Sequence, residues 1–378
     1  MSSVNVLVVF GTRPEAIKLA PVIKELSKRS RFNVQVCVTG QHRQMLDQVL
    51  EVFGIQPDAD LNLMVTNQTL ESLTANMLIK LGAVLTNFMP DYVMVHGDTT
   101  TTFVASLSAF YKKIPVIHVE AGLRTGFIDK PWPEEANRKL TSILTKMHFA
   151  PTKIAKQNLL SEGVASDAIV LTGNTVVDSL KYVSSRIDEE KALFQCLDDE
   201  YAALEAGKFV LITGHRRENF GDGMKNICQG IRNAAFKFPS MRFIYAVHLN
   251  PKVEEPVNEI LGDIANVELV KPLDYVRFIY LMRKCYFIVT DSGGIQEEAM
   301  TFKKPMLVTR DVSERQEAVT AGAAILVGTD RQKLETAISN LILDVQFYQS
   351  MQAEENPFGD GFAALRIADH MERVCDQH

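Results

Sequence analysis

The sequence predicts an α/β protein made of two doubly wound parallel-sheet lobes. Three observations predict it. Apolar, strand-like runs alternate with helical patterns along nearly the whole chain. Two of those runs, in opposite halves, stop at turns that feed a helix: Gly11-Thr12-Arg13-Pro14-Glu15 and Asp291-Ser292-Gly293-Gly294. The halves also rhyme, since Val4–Phe10 followed by GTRPEAIK parallels residues 209–213 followed by GHRREN. At 378 residues the chain exceeds the roughly 250–300 at which one core stops growing, so two domains are expected.

Val4–Phe10 is a β-rich apolar strand. Residues 16–26 place Ile17, Ala20, Ile23 and Leu26 at a helical period, and 34–39 is a second strand. Leu70–Phe88 is an amphipathic helix, with Leu70, Leu73, Met77, Leu81, Val84, Leu85 and Phe88 along one stripe. Tyr92–His96 is a strand, 101–111 a helix and 115–119 a strand. Residues 172–175 and the charged 187–191 read as the passage between lobes. The rhythm restarts with a strand at 209–213, a helix at 224–236 and strands at Arg242–Val247 and 286–290. A short helix at 295–300 and a strand at 305–309 follow. Residues 357–361 form a turn into a last helix through Ala364, Ile367, Ala368 and Met371, which packs back on the first lobe. The expected division is therefore 1–172, joined by about 358–378, and 173–357.

Apolar content of 46% and charged content of 23% are those of an ordinary globular protein. A net charge of −6 offers no electrostatic footprint for nucleic acid or an anionic membrane. No apolar stretch approaches the ~20 residues of a membrane span, and the first residues have no basic leader pattern. The five cysteines, Cys37, Cys196, Cys228, Cys285 and Cys375, lack paired spacing and read as reduced thiols in a cytoplasmic protein.

A strand that ends at glycine and feeds a helix points backbone N–H groups at the positive helix end, where phosphate binds. Two such turns imply a diphosphate-bearing ligand between the lobes. Arg13 can fork onto phosphate oxygens, and Lys18 follows it in the helix or faces solvent there. Neither turn fits a Walker loop or a dinucleotide glycine fingerprint. Ser292, Gly293 and Gly294 form the more specific phosphate signal. Glu297 and Glu298 either complement the helix dipole or, for Glu298, accept from ribose hydroxyls. Asp98 in HGDTT, Glu120 in HVEAGLR and Glu134 in PWPEEANR lie at strand ends or in the loops after them. Asp98 reads as a helix cap or as one of a carboxylate set that moves protons. His215, Arg216 and Arg217 form a cationic cluster at a strand end. Metal is disfavoured, because His118-Val119-Glu120 lacks the cysteine partner of the deaminase motif and no His-Glu-x-x-His occurs. The nucleophile elbow of serine hydrolases is absent.

At these residues the chain resembles the non-hydrolysing UDP-N-acetylglucosamine 2-epimerases. The resemblance spans nearly all of it. It rests on FGTRPEAIKLAP, QHRQMLDQVL, HGDTTTT, HVEAGLRTG, PWPEEANR, TGNTVVD, HRRENFG, VHLNP, DSGGIQEEA and NPFGDG, in that order. It implies the GT-B architecture, two Rossmann-like domains with a central cleft for a nucleotide sugar. It also implies interconversion of UDP-GlcNAc and UDP-ManNAc without NAD or metal. UDP leaves by anti elimination to give 2-acetamidoglucal, then adds back with the proton delivered to the other face.

By this resemblance Asp98, Glu120 and Glu134 are acid/base candidates, Lys18 is a further essential residue, and His215 supports the leaving diphosphate. Arg13, Ser292, Gly293 and Gly294 hold phosphates, and Glu298 the ribose. Leu273 and Phe278, in KPLDYVRF, bind UDP, with Phe278 stacked near uracil. Gln41, Gln44, Arg216 and His248 match contacts of a second, activating UDP-GlcNAc found in bacterial members, with Glu134 near both ligands. The chain departs from some members at Asn67, where they have Arg, and at Phe362, where a polar residue is more usual. It also lacks the Pro that commonly follows Arg315 in Ser313-Glu314-Arg315-Gln316-Glu317, which is expected to loosen that loop slightly. A cytoplasmic homodimer supplying a precursor of surface polysaccharide is the implied setting. The rival readings are a GT-B glycosyltransferase with a UDP-sugar donor, a hydrolysing epimerase and a nucleotide-sugar sensor.

Overall fold

A computed structural model describes residues 3–40, 43–64 and 68–376, with side chains of 43–45 left undescribed. The chain divides into two compact units, Met1–Tyr182 with Phe358–His378, and Val183–Pro357. The sequence reading changes domain at 172/173. The division by contacts comes ten residues later, inside a helix.

In the first unit the elements run β1 (Val4–Phe10), α1 (Arg13–Ser27), β2 (Phe32–Val38), α2 (Arg43–Phe53) and β3 (Ala59–Asp60). Then come α3 (Leu70–Phe88), β4 (Tyr92–His96), α4 (Thr100–Tyr111) and β5 (Val116–Val119). The unit continues through α5 (Glu134–Leu144), β6 (Thr145–Ala150), α6 (Lys153–Ser161), β7 (Ile169–Leu171) and into α7 (Thr175–Glu189). Its seven strands form one parallel sheet in the order β3-β2-β1-β4-β5-β6-β7. Strands buried on both faces need no polar alternation, which is why β1 is apolar at nearly every position. Val6, Leu7, Val8 and Phe10 are fully buried.

The second unit holds α8 (Lys191–Glu200), β8 (Phe209–Gly214), α9 (Asp222–Lys237), β9 (Arg242–Val247), α10 (Pro251–Leu261) and β10 (Val267–Val270). It continues with α11 (Tyr275–Lys284), β11 (Ile288–Thr290), α12 (Gly293–Thr301), β12 (Met306–Val308), α13 (Gln316–Thr320) and β13 (Ala324–Leu326). Helices α14 (Arg331–Leu343) and α15 (Val345–Ser350) close it. Its parallel sheet is ordered β10-β9-β8-β11-β12-β13. Both sheets therefore reverse direction of growth after their third strand, resuming on the other side of the first. That switch opens a crevice at the carboxyl ends of β1 and β4 in one unit, and of β8 and β11 in the other.

Two stretches differ from the sequence reading. The supposed passage is helical, because Val176, Leu180, Val183 and Ile187 form a buried stripe at helical spacing behind the charged residues. Strands β6 and β7 extend the first sheet although TKMHFA, with its Lys and His, does not read as a buried strand.

The final helix, α16 (Ala363–Asp376), lies in the first unit against α1. Ile367, Ala368 and Met371 are fully buried, and Arg29 pairs with Asp369 at 2.6 Å and Glu372 at 2.8 Å. Among the described residues no helix is long and apolar enough to cross a membrane, and all five cysteines are free thiols.

Candidate active site

In each unit the candidate residues gather near its own switch point. In the first, β1 runs into a turn at Gly11-Thr12. A side chain at Gly11 would put its Cβ 2.0 Å from Thr39 Oγ1 and 2.7 Å from Thr101 Oγ1, so only glycine fits. Glu15, almost fully buried, folds back over this turn. Its Oε2 accepts from the backbone N–H of Gly11 at 3.0 Å and of Thr12 at 2.8 Å, and its Oε1 accepts from Thr99 Oγ1 at 2.7 Å. This corrects the reading of the turn as an open phosphate cradle: a carboxylate of the protein already occupies those amides. Arg13, half-buried, opens α1, and Pro14 follows it in the first turn.

Lys18, two turns into α1, is buried and ion-paired with Glu120, the residue after β5. Glu120 stands in the left-handed backbone region, φ +62°, which is rare for a residue with a side chain. Its Oε2 also accepts from Asn174 Nδ2 at 3.1 Å and lies 3.5 Å from His96 Nε2. The register pairs His96 with Val119, and the N–H of Gly97 donates to the Val119 carbonyl at 3.0 Å. Residues 97 and 98 therefore leave the sheet beside Glu120. His118 sits on the opposite sheet face and hydrogen-bonds the Gly97 carbonyl through Nε2 at 2.7 Å. Burial pushes the His118 imidazole down to about 3 and that of its strand neighbour His148 to about 4, so both are neutral at pH 7.

Asp98 does not cap α4. Thr99 does, accepting from Thr102 N–H at 3.2 Å. Arg138 instead donates to Asp98 Oδ2 through two nitrogens, at 3.0 and 2.6 Å, while Asn137 Nδ2 donates to the Asp98 carbonyl at 2.9 Å. Both partners are on α5, which begins at Glu134. Residues 134, 137 and 138 share one helix face, so Glu134 sits on the side of α5 that meets Asp98. Its Oε2 is buried and makes no hydrogen bond. The first unit thus brings Lys18, Asp98, Glu120 and Glu134 to one end of its sheet.

In the second unit Asp291, fully buried at the end of β11, organises the end of β8. Its Oδ2 accepts from the backbone N–H groups of His215 and Arg216, each at 2.8 Å, and from Asn219 Nδ2 at 3.2 Å. His215 stacks on the exposed His248, with centroids 5.3 Å apart and planes 18° from parallel. Burial lowers the His215 imidazole below its usual value, with Arg216 and His248 adding to the shift against the opposing Asp291 carboxylate. Within the cationic cluster, burial thus favours the neutral imidazole of His215, which offers an N–H, while Asp291 Oδ1 lies 3.8 Å from its Nδ1.

Helix α12 starts at Gly293-Gly294. Ser292 precedes it without its side chain capping the helix. Intrahelical bonding leaves the first amides of α12 without partners. Space is available there, since a Cβ at Gly293 would come no nearer than 3.6 Å, to Arg315, and one at Gly294 no nearer than 3.9 Å, to Ser292. Glu297 does more than face the dipole: it is buried and bonded to Arg315 Nε at 2.6 Å. Glu298 is buried on the same helix. Nor is the loop after Ser313 loose. Ser313 Oγ donates to Gln296 Oε1 at 2.6 Å and accepts from Arg315 N–H at 3.0 Å, and Gln316 Nε2 donates to the Ser313 carbonyl at 2.7 Å. Gln316 closes by hydrogen bonding the turn that a proline would stiffen. Burial alone would raise the Glu314 carboxyl, but the hydrogen bonds and charge of Arg310 bring it to about 2.

A family model described as UDP-N-acetylglucosamine 2-epimerase matches residues 24–372. The chain belongs to the UDP-N-acetylglucosamine 2-epimerase family. It is an enzyme, an isomerase of that family. It is 51% identical over 364 residues to the UDP-N-acetylglucosamine 2-epimerase of Salmonella typhimurium, covering 96% of this chain and 97% of that protein. Its fold matches the crystal structure of the UDP-GlcNAc 2-epimerase of Neisseria meningitidis bound to UDP-GlcNAc. The TM-score is 0.93 and the identity 49%, over 98% of this chain and 100% of that one. The Methanocaldococcus jannaschii enzyme in complex with UDP-GlcNAc and UDP is more distant, at 33% identity and a TM-score of 0.84, over 98% of this chain and 99% of that one.

Of the residues that the family resemblance assigns, Leu273 is half-buried before α11, and Phe278 is buried on that helix with 8% exposure. Arg216 is half-buried at the end of β8. Gln41 and Asn67 lie outside the described residues, as does the side chain of Gln44. Phe362 is exposed, with Lys181 Nζ 4.8 Å above its ring. Sequence reasoning gave no role to Glu15, His96, Arg138 or Asn174. Glu15 was signalled by its place three residues after Thr12, a capping-box spacing, and Asn174 by preceding a helix. Among the described residues no cluster of His, Cys, Asp and Glu could hold a metal.

Proposed function

We propose that the enzyme interconverts UDP-GlcNAc and UDP-ManNAc by anti elimination and re-addition of UDP. The observation that carries this reading is the buried Lys18–Glu120 pair beside Asp98 and Glu134, at the carboxyl ends of β4 and β5. In the forward direction a carboxylate takes the proton from the second sugar carbon. The C–H electron pair forms the glycal double bond, and the bond from the first carbon to the diphosphate breaks with its electrons on UDP. On return a UDP oxygen re-forms that bond while a second carboxyl delivers a proton to the opposite face. The ion pair keeps Glu120 fixed in a site poor in water, where its charge acts strongly. The amides of Gly293 and Gly294, the Ser292 hydroxyl, Arg13 and the N–H of His215 serve the phosphates, with Glu298 at the ribose and Leu273 and Phe278 near uracil. The relatives bound to UDP-GlcNAc and UDP support this substrate class.

We further assign Gln41, Gln44, Arg216 and His248 to an activating second UDP-GlcNAc. The working form in this reading is a cytoplasmic homodimer that supplies a precursor of surface polysaccharide.

Proton NMR of the enzyme with UDP-GlcNAc in heavy water, without metal, NAD or acceptor, tests the reaction. UDP-ManNAc should appear, with deuterium at the second sugar carbon of both epimers. Free ManNAc with UDP would mean hydrolysis. An unchanged substrate with folded, UDP-binding protein would send the reading to acceptor-dependent transfer.

A further inference from the structure

The side chain of Asn174 has a donor and an acceptor, and the surroundings fix which way each points. Oδ1 accepts from Val176 N–H at 3.0 Å, while Nδ2 donates to Glu120 Oε2 at 3.1 Å. Turning the amide over would set oxygen against carboxylate and nitrogen against N–H, so only this orientation satisfies both. Asn174 is 3% exposed, so water does not substitute for either bond. Among the groups facing the Glu120 carboxylate are Lys18 from α1, His96 from β4 and Asn174 from the head of α7.

The backbone of Asn174 is equally constrained. Its N–H donates to the Phe358 carbonyl at 2.7 Å, and its own carbonyl accepts from Val177 N–H at 3.1 Å. Gly173 (φ +90°) and Gly359 (φ +119°) meet back to back, and a Cβ at Gly359 would lie 3.2 Å from the Gly173 Cα. The chain leaves the first unit through α7, which Asn174 caps, and returns to it at Phe358, which Asn174 bonds. Asn174 thus heads the helix through which the chain leaves the first unit and bonds the residue at which it returns.

We propose that Asn174 is a positioning residue for Glu120: it aims the carboxylate and ties its placement to the head of α7 and to the returning chain at Phe358. This rests on the reading of Glu120 as an acid/base group. A merely structural cap would behave differently from a positioning amide, and Asn174→Asp separates the two. Aspartate caps a helix as well as asparagine does, but it has no N–H for Glu120 and places a second carboxylate beside it. Asn174→Ser likewise keeps a capping oxygen but is too short to reach Glu120.

The full enzyme is assayed in both directions over pH, beside Glu120→Gln. Asn174→Ser should melt close to the unchanged protein, and Asn174→Asp lower but still cooperatively, because it buries a second carboxylate beside Glu120. Loss of a hydrogen bond to a charged group predicts a fall in kcat of about ten- to a hundredfold in both, with KM nearly unchanged. In Asn174→Asp one limb of the kcat profile should also move to higher pH, by about one unit. If Glu120→Gln is inactive while both Asn174 variants keep their kcat and pH limbs, Asn174 is a cap only and the proposal fails. If Glu120→Gln itself turns over normally, the reading of Glu120 fails and takes the proposal with it.

Discussion

The two units present the same device, a strand that ends in a glycine turn and feeds a helix, in opposite electrostatic states. At Gly11 the turn is filled from within. Glu15 accepts from both amides, and the carboxylates beyond it have partners of their own, Lys18 for Glu120 and Arg138 for Asp98. At Ser292 the side chain does not cap the helix, the glycines leave room, and burial disfavours the charged form of the nearby His215. The lesson is that a shared backbone motif does not fix a shared role. The closed turn sits beside carboxylates paired within the protein, and the open one leaves amides suited to an anion.

The largest expected effect attacks the balanced side. Lys18→Ala leaves Glu120 buried without its cation and should cost about 3–5 kcal/mol of stability, read as a fall in the denaturation midpoint. An unchanged midpoint would show that the first unit is not balanced through this pair. Next in size is a matched pair of glycine substitutions. Gly11→Ala forces a methyl into Thr39 and Thr101 and should destabilise by about 1–3 kcal/mol. Gly294→Ala meets no clash, and should leave stability unchanged or raise it by up to about 1 kcal/mol, while weakening UDP binding in titration calorimetry. Equal losses of stability in both would erase the contrast between the turns.

Smaller again are the effects of pH. A diphosphate beside His215 favours the imidazolium, so binding should take up a proton. UDP affinity should then rise as pH falls from 7.5 towards 6, by at most about tenfold per unit. Calorimetry in buffers of different ionisation enthalpy reads this uptake, and its absence would remove His215 from the phosphates. His118 and His148 act on stability alone. Their folded-state values lie below the unfolded value near 6.5, so the unfolded chain binds more protons between about pH 6.5 and 4. The melting temperature should drop through that window, and a flat profile would mean that these imidazoles are not held neutral by burial.

Much of this architecture was legible in the sequence because its strands are buried on both faces. Val4–Phe10, Tyr92–His96 and Arg242–Val247, with the helix Leu70–Phe88, were readable to the residue. The stretch 172–191 was not, since its charged face hides the stripe of α7, and β6 was masked by Lys146 and His148. The candidates Asp98, Glu120 and Glu134 were legible as carboxylates at strand ends or in the loops after them, and Lys18 as a cation early in a helix. Their partners were not, because those contacts join distant parts of the chain. Lys18 and Glu120 are 102 residues apart, Asn174 and Glu120 54, and Arg138 and Asp98 40. Local pattern names the groups, and only the folded sheet says which of them neutralises which.

The return of the tail to the first unit has a consequence for synthesis. Residues 183–357 are one uninterrupted segment, so the second unit has all its residues outside the ribosome before the first unit does. The first must wait for α16, whose Asp369 and Glu372 meet Arg29 and whose Ile367 and Met371 complete its core. The unit whose residues come first along the chain is therefore completed after the second, and its exposed α1 face is the one that a chaperone would have to shield in the meantime.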